Sequence, residues 1–290
     1  MVSLRILALV APLLSLTHAV PYPSDAVASA EFKSATYDGD ATPTVTSHDP
    51  MTMVRRTTGG VVTGAAAVAS INNRDGIGAG KDSYTFYKGD GSPGAGWPTK
   101  DKWVSFEDMW NNNKQQILSK SCGYNGWGAE NSAAEMQGVY DAIQKIAVET
   151  KVDHRFILAI VVQESKGCVR VPTTGNADPN IFNPGLMQCH SGDTSCANKS
   201  PCPNSSILSM IREGTAGTPK GDGLAQVINQ AQKTFSTSDA RAFYAAAKYY
   251  NGGSIPPSNN LEDGCCTRCY SSDVANRLTG WTSATTKCNL

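Results

Sequence analysis

The chain has 290 residues, 40% hydrophobic and 17% charged, which is enough apolar material for a real core in one large or two small domains. Lys plus Arg number 25 and Asp plus Glu 25, so the formal net charge is zero. Bulk charge therefore gives no argument for a nucleic-acid partner, and there is no polybasic run.

Residues 1–19, MVSLRILALVAPLLSLTHA, combine Arg5, an apolar stretch, and Thr17 and Ala19 at cleavage spacing. They read as a secretory signal peptide. The alternative, an N-terminal membrane anchor, has a short apolar run interrupted by Pro12. No other segment is long enough to cross a bilayer, so we expect a soluble, secreted, extracellular protein with no membrane partner. Residues 20–83 are rich in Ala, Thr, Ser, Gly and Asp and read as a disordered pro-segment or linker. The pair Arg55-Arg56 offers dibasic cleavage after Arg56, or is simply two solvated arginines in a linker. Order is expected from Tyr84, in the aromatic, turn-rich lead-in YTFYKGDGSPGAGWPTKDKW, so 84–290 is the folded domain. No internal repeat is present.

From residue 101 the signals are helical. Ser132 and Glu135 form a capping-box pattern ahead of Met136, Val139, Tyr140, Ile143 and Ile146 on one face. Asp153 suits the cap of a helix over 154–166, and Gly167 its stop. Ile207, Leu208 and Ile211 mark a short helix ended by Gly214. Leu224, Val227, Ile228, Ala231 and Phe235 mark another. Ser238 or Asp239 starts a helix through Tyr250, ended by Gly252, and a last one runs from Ser271 to Leu278. Pro, Gly, Asn and Cys between 168 and 204 predict a loop or small hairpin locked by disulfides. The fold class is mainly α with a small irregular or β-hairpin lobe.

All nine cysteines follow the signal: Cys122, Cys168, Cys189, Cys196, Cys202, Cys265, Cys266, Cys269 and Cys288. In an oxidising compartment each is a disulfide candidate, with one left over and the pairing open. Cys266 and Cys269 stand at CxxC spacing, but a zinc site needs four ligands and the few His do not cluster there. Asn198 and Asn204 open glycosylation sequons.

Glu164 closes the apolar run FILAIVVQ. On a helix it shares a face with Ile157, Ile160 and Val161, while Leu158 and Val162 cover the other side. Burial disfavours a carboxylate's charged form, and the negative end of the helix dipole acts the same way. A carboxyl group that holds its proton near neutral pH is what a general acid needs. The bland alternative is a solvated helix end, and the apolar pattern does not separate the two.

Three motifs follow in order: QESKG at 163–167, GLMQ at 185–188 and YNGG at 250–253. Together they resemble the goose-type lysozyme and soluble lytic transglycosylase superfamily, and the lead-in is similar to its secreted fungal lysozyme-like branch. The motifs span 163–253 and the resemblance extends over 84–290. It implies a lysozyme-like fold with Glu164 as the catalytic acid and Ser165 contacting substrate or the active-site backbone. It also implies that Gly185, Leu186, Met187 and Gln188 line the cleft floor, with Leu186 in the core. Tyr250, with Tyr249 as its competitor, would hold the catalytic carboxylate, and Asn251 would be its neighbour at the site. The alternative for Tyr250 is an aromatic core plug. Where goose-type enzymes often carry an aspartate after the Met-Gln pair, this chain has Cys189 and His190. An inverting mechanism needs a second carboxylate. Asp178 and Asp193 are the candidates, although Asp is at home in turns. Without a base, the substrate's own N-acetyl group would assist and yield an anhydro product.

There is no G-x-S-x-G elbow, P-loop or zinc-protease motif. His154 reads as a surface residue of a first helical turn, and His190 as a loop residue or a cleft-lining one. The expectation is a monomeric secreted glycoside hydrolase, a muramidase cleaving β-1,4 bonds after N-acetylmuramic acid in peptidoglycan, with no metal and no cofactor. The rivals are a lytic transglycosylase, a chitin or chitosan hydrolase of the same fold, and a non-catalytic wall-binding protein.

Overall fold

The computed structural model describes residues 59–176 and 178–288. The signal peptide, the dibasic pair and most of the expected pro-segment lie outside the described residues. Those residues form eight α-helices and one two-stranded antiparallel sheet, so the mainly α class holds. The helices are α1 (Phe106–Asn113), α2 (Ser121–Tyr124), α3 (Ala133–Thr150), α4 (His154–Ser165), α5 (Asn204–Ala216), α6 (Leu224–Phe235), α7 (Ala240–Gly252) and α8 (Tyr270–Leu278). A π-helical turn, Lys114–Leu118, links α1 to α2. The strands β1 (Thr174–Gly175) and β2 (Phe182–Asn183) pair Thr174 with Asn183 and Gly175 with Phe182.

The helix starts follow the local chemistry of the chain. Ser132 and Glu135 make a reciprocal capping box at α3, which satisfies backbone N–H groups that the first turn leaves unpaired. Asp153 accepts from Arg155 N to open α4, and Asp239 from Arg241 N to open α7. The expected stop at Gly214 is wrong: α5 runs on to Ala216 and is capped by Gly217. Gly214 serves packing instead, because a Cβ there would lie 2.4 Å from Met187 Cβ.

α4 is the central helix. Every residue from His154 to Val162 is buried, and α1, α3 and α8 pack around it. α7 lies between α6 and α8, and α5 lies on α3. His154, expected on the surface, is 1% exposed and stacks near Phe106, with ring centroids 4.5 Å apart. The apolar sides of α1 and α3 converge on that position, so burial overrides the polar character of the first turn. The aromatic lead-in docks on α7 and α8. Trp103 Nε1 donates to Tyr244 Oη at 2.9 Å, and Tyr244 Oη donates to Pro98 O at 2.9 Å.

The expected disorder through residue 83 fails for 59–83. Gly60 N donates to Ala216 O, Val62 N to Thr150 O and Val68 N to Lys151 O. Asn229 and Gln232 of α6 bond the backbone at Val61, Thr63 and Ala66. Val62 and Ala66 are buried. This strap closes exposed helix ends with backbone bonds, an arrangement that leaves no hydrophobic period to read.

Four disulfides join Cys122 to Cys168, Cys196 to Cys202, Cys265 to Cys266 and Cys269 to Cys288. Cys266 and Cys269 thus belong to separate bridges. Cys189, a disulfide candidate, is the free thiol and is buried. Its Sγ donates to Glu213 Oε2 at 3.7 Å.

Candidate active site

α4 carries Glu164 to its last turn and stops there. Lys166 takes a left-handed conformation and donates its N–H to Val162 O, and Gly167 N donates to Val161 O. At Gly167, φ is +72° and a Cβ would lie 2.4 Å from Leu118 Cγ, so only glycine fits. The exit from α4 is clamped. Buried Asn131 donates to Leu118 O and Gly167 O and accepts from Val169 N. The Cys122–Cys168 bridge ties the same segment to α2.

Part of the Glu164 side chain reaches the surface, but its carboxyl is desolvated. That burial pushes its pKa up to about 7, against the opposing pull of a hydrogen bond from Tyr270 and the charge of Lys166. Tyr270 Oη donates to Glu164 Oε1 at 2.5 Å. Burial, reinforced by Glu164, keeps the Tyr270 phenol far above its ordinary range, so it stays a donor. Tyr270 is the first residue of α8, directly after the Cys269–Cys288 bridge. A second set of bonds joins α8 to the end of α4. Gln163 Nε2 donates to Asp273 Oδ2, Tyr84 Oη donates to Asp273 Oδ1, and Arg277 Nε donates to Gln163 Oε1.

The other expected site residues take varied places. Tyr250 does not hold the acid: its hydroxyl donates to Met187 O at 2.8 Å. It fixes the 185–188 turn, and burial, then Cys189, then Glu164 raise its pKa well above normal. Tyr249 is committed elsewhere, its hydroxyl 3.0 Å from Thr234 Oγ1. Gly185 is buried at φ +73°, where a Cβ would meet Met210 and Thr194 O, so it shapes the turn and offers no substrate contact. Met187 is fully buried beside Leu186 in the core, and its side chain is closed to substrate. Gln188 is half-buried. It accepts from Thr174 Oγ1 and donates to Gly185 O, which links the turn to β1. Ser165 is fully buried and bonds back to Val161 O, so it contacts backbone and not substrate. Asn251 accepts from Thr267 N and holds the loop that leads to Tyr270. His190 is half-buried, and its carbonyl accepts from Thr218 Oγ1.

Neither candidate second carboxylate reaches the acid by a hydrogen bond. Asp178 is exposed and accepts from Asn180 N and Nδ2 at the hairpin tip. Asp193 is exposed in the following loop, where its N–H donates to Glu213 Oε2. Asn198 and Asn204 are both exposed, as sequon residues need to be. Among the described residues no three His, Cys, Asp or Glu side chains are grouped to hold a metal, and no helix is long and apolar enough to cross a membrane.

Neither the protein-family models nor the curated proteins hold a match to this chain. The functional case therefore rests on Glu164 and its seat. Sequence reasoning missed Tyr270 and Asn131. Tyr270 follows three cysteines in CCTRCY, and Asn131 stands in a loop. A polar residue that bonds across the fold leaves no periodic trace.

Proposed function

We propose that the chain is a secreted, lysozyme-like glycosidase that cleaves the β-1,4 bond after N-acetylmuramic acid in bacterial peptidoglycan. The observation that carries this reading is Glu164 itself. It is a carboxyl at the end of a buried helix, pushed up to about 7 and held by one buried tyrosine hydroxyl. Such a group is half protonated near neutral pH and donates its proton to a glycosidic oxygen as the bond breaks. The resemblance of the motifs at 163–167, 185–188 and 250–253 supplies the substrate class. Loss of turbidity of a bacterial wall suspension tests it. Glu164→Gln keeps the shape and removes the proton, and is expected to slow lysis at least about a hundredfold. Unchanged lysis would sink the assignment and leave a wall-binding protein.

A second outcome, a lytic transglycosylase, is favoured by one observation. Asp178 and Asp193 are exposed loop residues, and the groups acting on Glu164 are its burial, Tyr270 and Lys166. With no base engaged, the substrate's own acetamido oxygen would attack the anomeric carbon as Glu164 protonates the leaving oxygen. The C6 hydroxyl of the same sugar would then displace the acetamido oxygen from that carbon and give its proton to the Glu164 carboxylate, leaving an anhydro sugar end lighter than the hydrolysis product by one water. Product mass decides between the two outcomes.

A further inference from the structure

A second buried carboxyl stands behind the seat of Glu164. Glu262 is 3% exposed and follows Leu261, whose N–H donates to Gly89 O, so the segment is pinned to the aromatic lead-in. Its Oε1 accepts from Ser272 N at 3.2 Å, and its Oε2 has no hydrogen-bond partner among the described residues. Ser272 stands in the first turn of α8, two residues after Tyr270. The first N–H groups of a helix need acceptors from outside it, and a cap side chain normally supplies one. Here the cap position is Cys269, whose sulfur is bonded to Cys288 and caps nothing. Glu262 takes that role from across a loop, and its negative charge suits the positive end of the helix dipole. Two charged groups act on it. Lys248 of α7 is buried and attracts it, although the ammonium donates to Cys265 O, and Asp273 of α8 repels it. The adjacent Asp263 is exposed and bonded to Ser258 and Asn260. A proton on the open Oε2 would turn a charge-assisted cap into a neutral one, about half as strong.

We propose that the negative charge of Glu262 is a positioning device that caps α8 from outside the helix and so holds Tyr270 on Glu164. Its effect on catalysis rests on the glycosidase reading, whereas the coupling of the three side chains does not. A first turn without its cap is less stable, and Tyr270 is the residue at its start. Burial pushes the pKa of Glu262 up to about 7; the Ser272 N–H opposes this, Asp273 adds to it, and Lys248 and the Cys269 N–H oppose it. The cap is therefore charged above neutral pH and neutral below it. Acid loosens the brace on Glu164 in the same range in which it protonates Glu164.

The test follows the Tyr270 ring, the Ser272 amide and the Glu262 carboxyl carbon by NMR, from about pH 5 to about pH 9. It uses Glu164→Gln, in which position 164 no longer titrates but its amide oxygen still accepts from Tyr270. All three signals are expected to move in one step with a common midpoint. A Tyr270 signal that stays still, or that moves with a midpoint different from that of the Glu262 carboxyl, would overturn the proposal. This titration leaves Glu262 in place, so it decides even where a change at Glu262 does not fold. Adding Glu262→Gln keeps the shape and an acceptor for Ser272 N without the charge, and should remove the step from Tyr270 and Ser272. A step that survives would belong to Asp273 and would also overturn the proposal. In wall lysis the wild-type rate should fall on the acid side of about pH 7. Glu262→Gln alone should lack that fall and run up to about tenfold slower above it, as a loosened Tyr270 would. An acid side left unchanged by Glu262→Gln would overturn its catalytic role. The common NMR step, found while Glu164→Gln leaves lysis unchanged, would fail the glycosidase reading alone.

Discussion

At Glu164 opposed effects act on one proton. Burial retains it, while the Tyr270 hydroxyl, by bonding the charged form, and then the charge of Lys166 loosen it. The sign of a Tyr270→Phe change follows. With the hydroxyl gone, the pKa of Glu164 rises above its present value of about 7. Since a general acid works only while protonated, wild-type activity falls as pH rises through about 7. In Tyr270→Phe this alkaline limb is expected to move to higher pH, while the maximal rate drops about tenfold from poorer positioning. A pH–rate profile of both proteins checks it, and a limb moved to lower pH would contradict the assigned hydrogen bond. Tyr250→Phe should act differently, because it loosens the 185–188 turn at Met187 O and leaves the bond on Glu164 intact.

At the scale of elements, the exit of α4 is set by a bridge and one asparagine. The Cys122–Cys168 bond closes a loop of sequence separation 46. By chain entropy its removal as the Cys122→Ser, Cys168→Ser pair should cost about 4 kcal/mol. Denaturant unfolding would read that loss, and a change below about 1 kcal/mol would show that Asn131 suffices. Elements with a strong period or a clear cap were legible in the chain: the capping box of α3, the apolar run of α4, the 3.6-residue face of α6 and the start and glycine stop of α7. The lobe between 168 and 204 was legible as a loop or hairpin, because Pro, Gly, Asn and Cys leave few other choices there. The identity of the group on Glu164 was not. Tyr270 and Tyr250 are both tyrosines near helix termini, and only three-dimensional placement separates a bond to the carboxylate from a bond to the Met187 carbonyl. Residues 59–83 were missed for a related reason. Their order comes from backbone groups paired to distant helices, and composition reports only that they lack a core pattern.

At the scale of the folded unit, the contribution of that strap is a matter of measurement. Protein cut after Arg56 retains the buried Val62 and Ala66 and the strap's bonds to α6, and is the reference. Protein beginning at Ile71 loses two buried side chains and the strap's hydrogen bonds. It should be less stable by at least about 3 kcal/mol. Equal melting temperatures for the two would show that the strap contributes nothing.

The seat of Glu164 is drawn from widely separated parts of the chain, Tyr84 on one side and Tyr270, Asp273 and Arg277 on the other. This has a consequence in time. As the polypeptide emerges from the ribosome, α4 appears more than a hundred residues before Tyr270 does. The bridge that braces Tyr270 then closes at Cys288, further along the chain than Tyr270 itself, and only where thiols oxidise. A nascent or unoxidised chain would thus carry Glu164 without its tyrosine brace. An isotope-edited infrared band for the Glu164 carboxyl should appear late in oxidative refolding, together with the Cys269–Cys288 bond. Its appearance in fully reduced protein would show that the brace forms without the bridge.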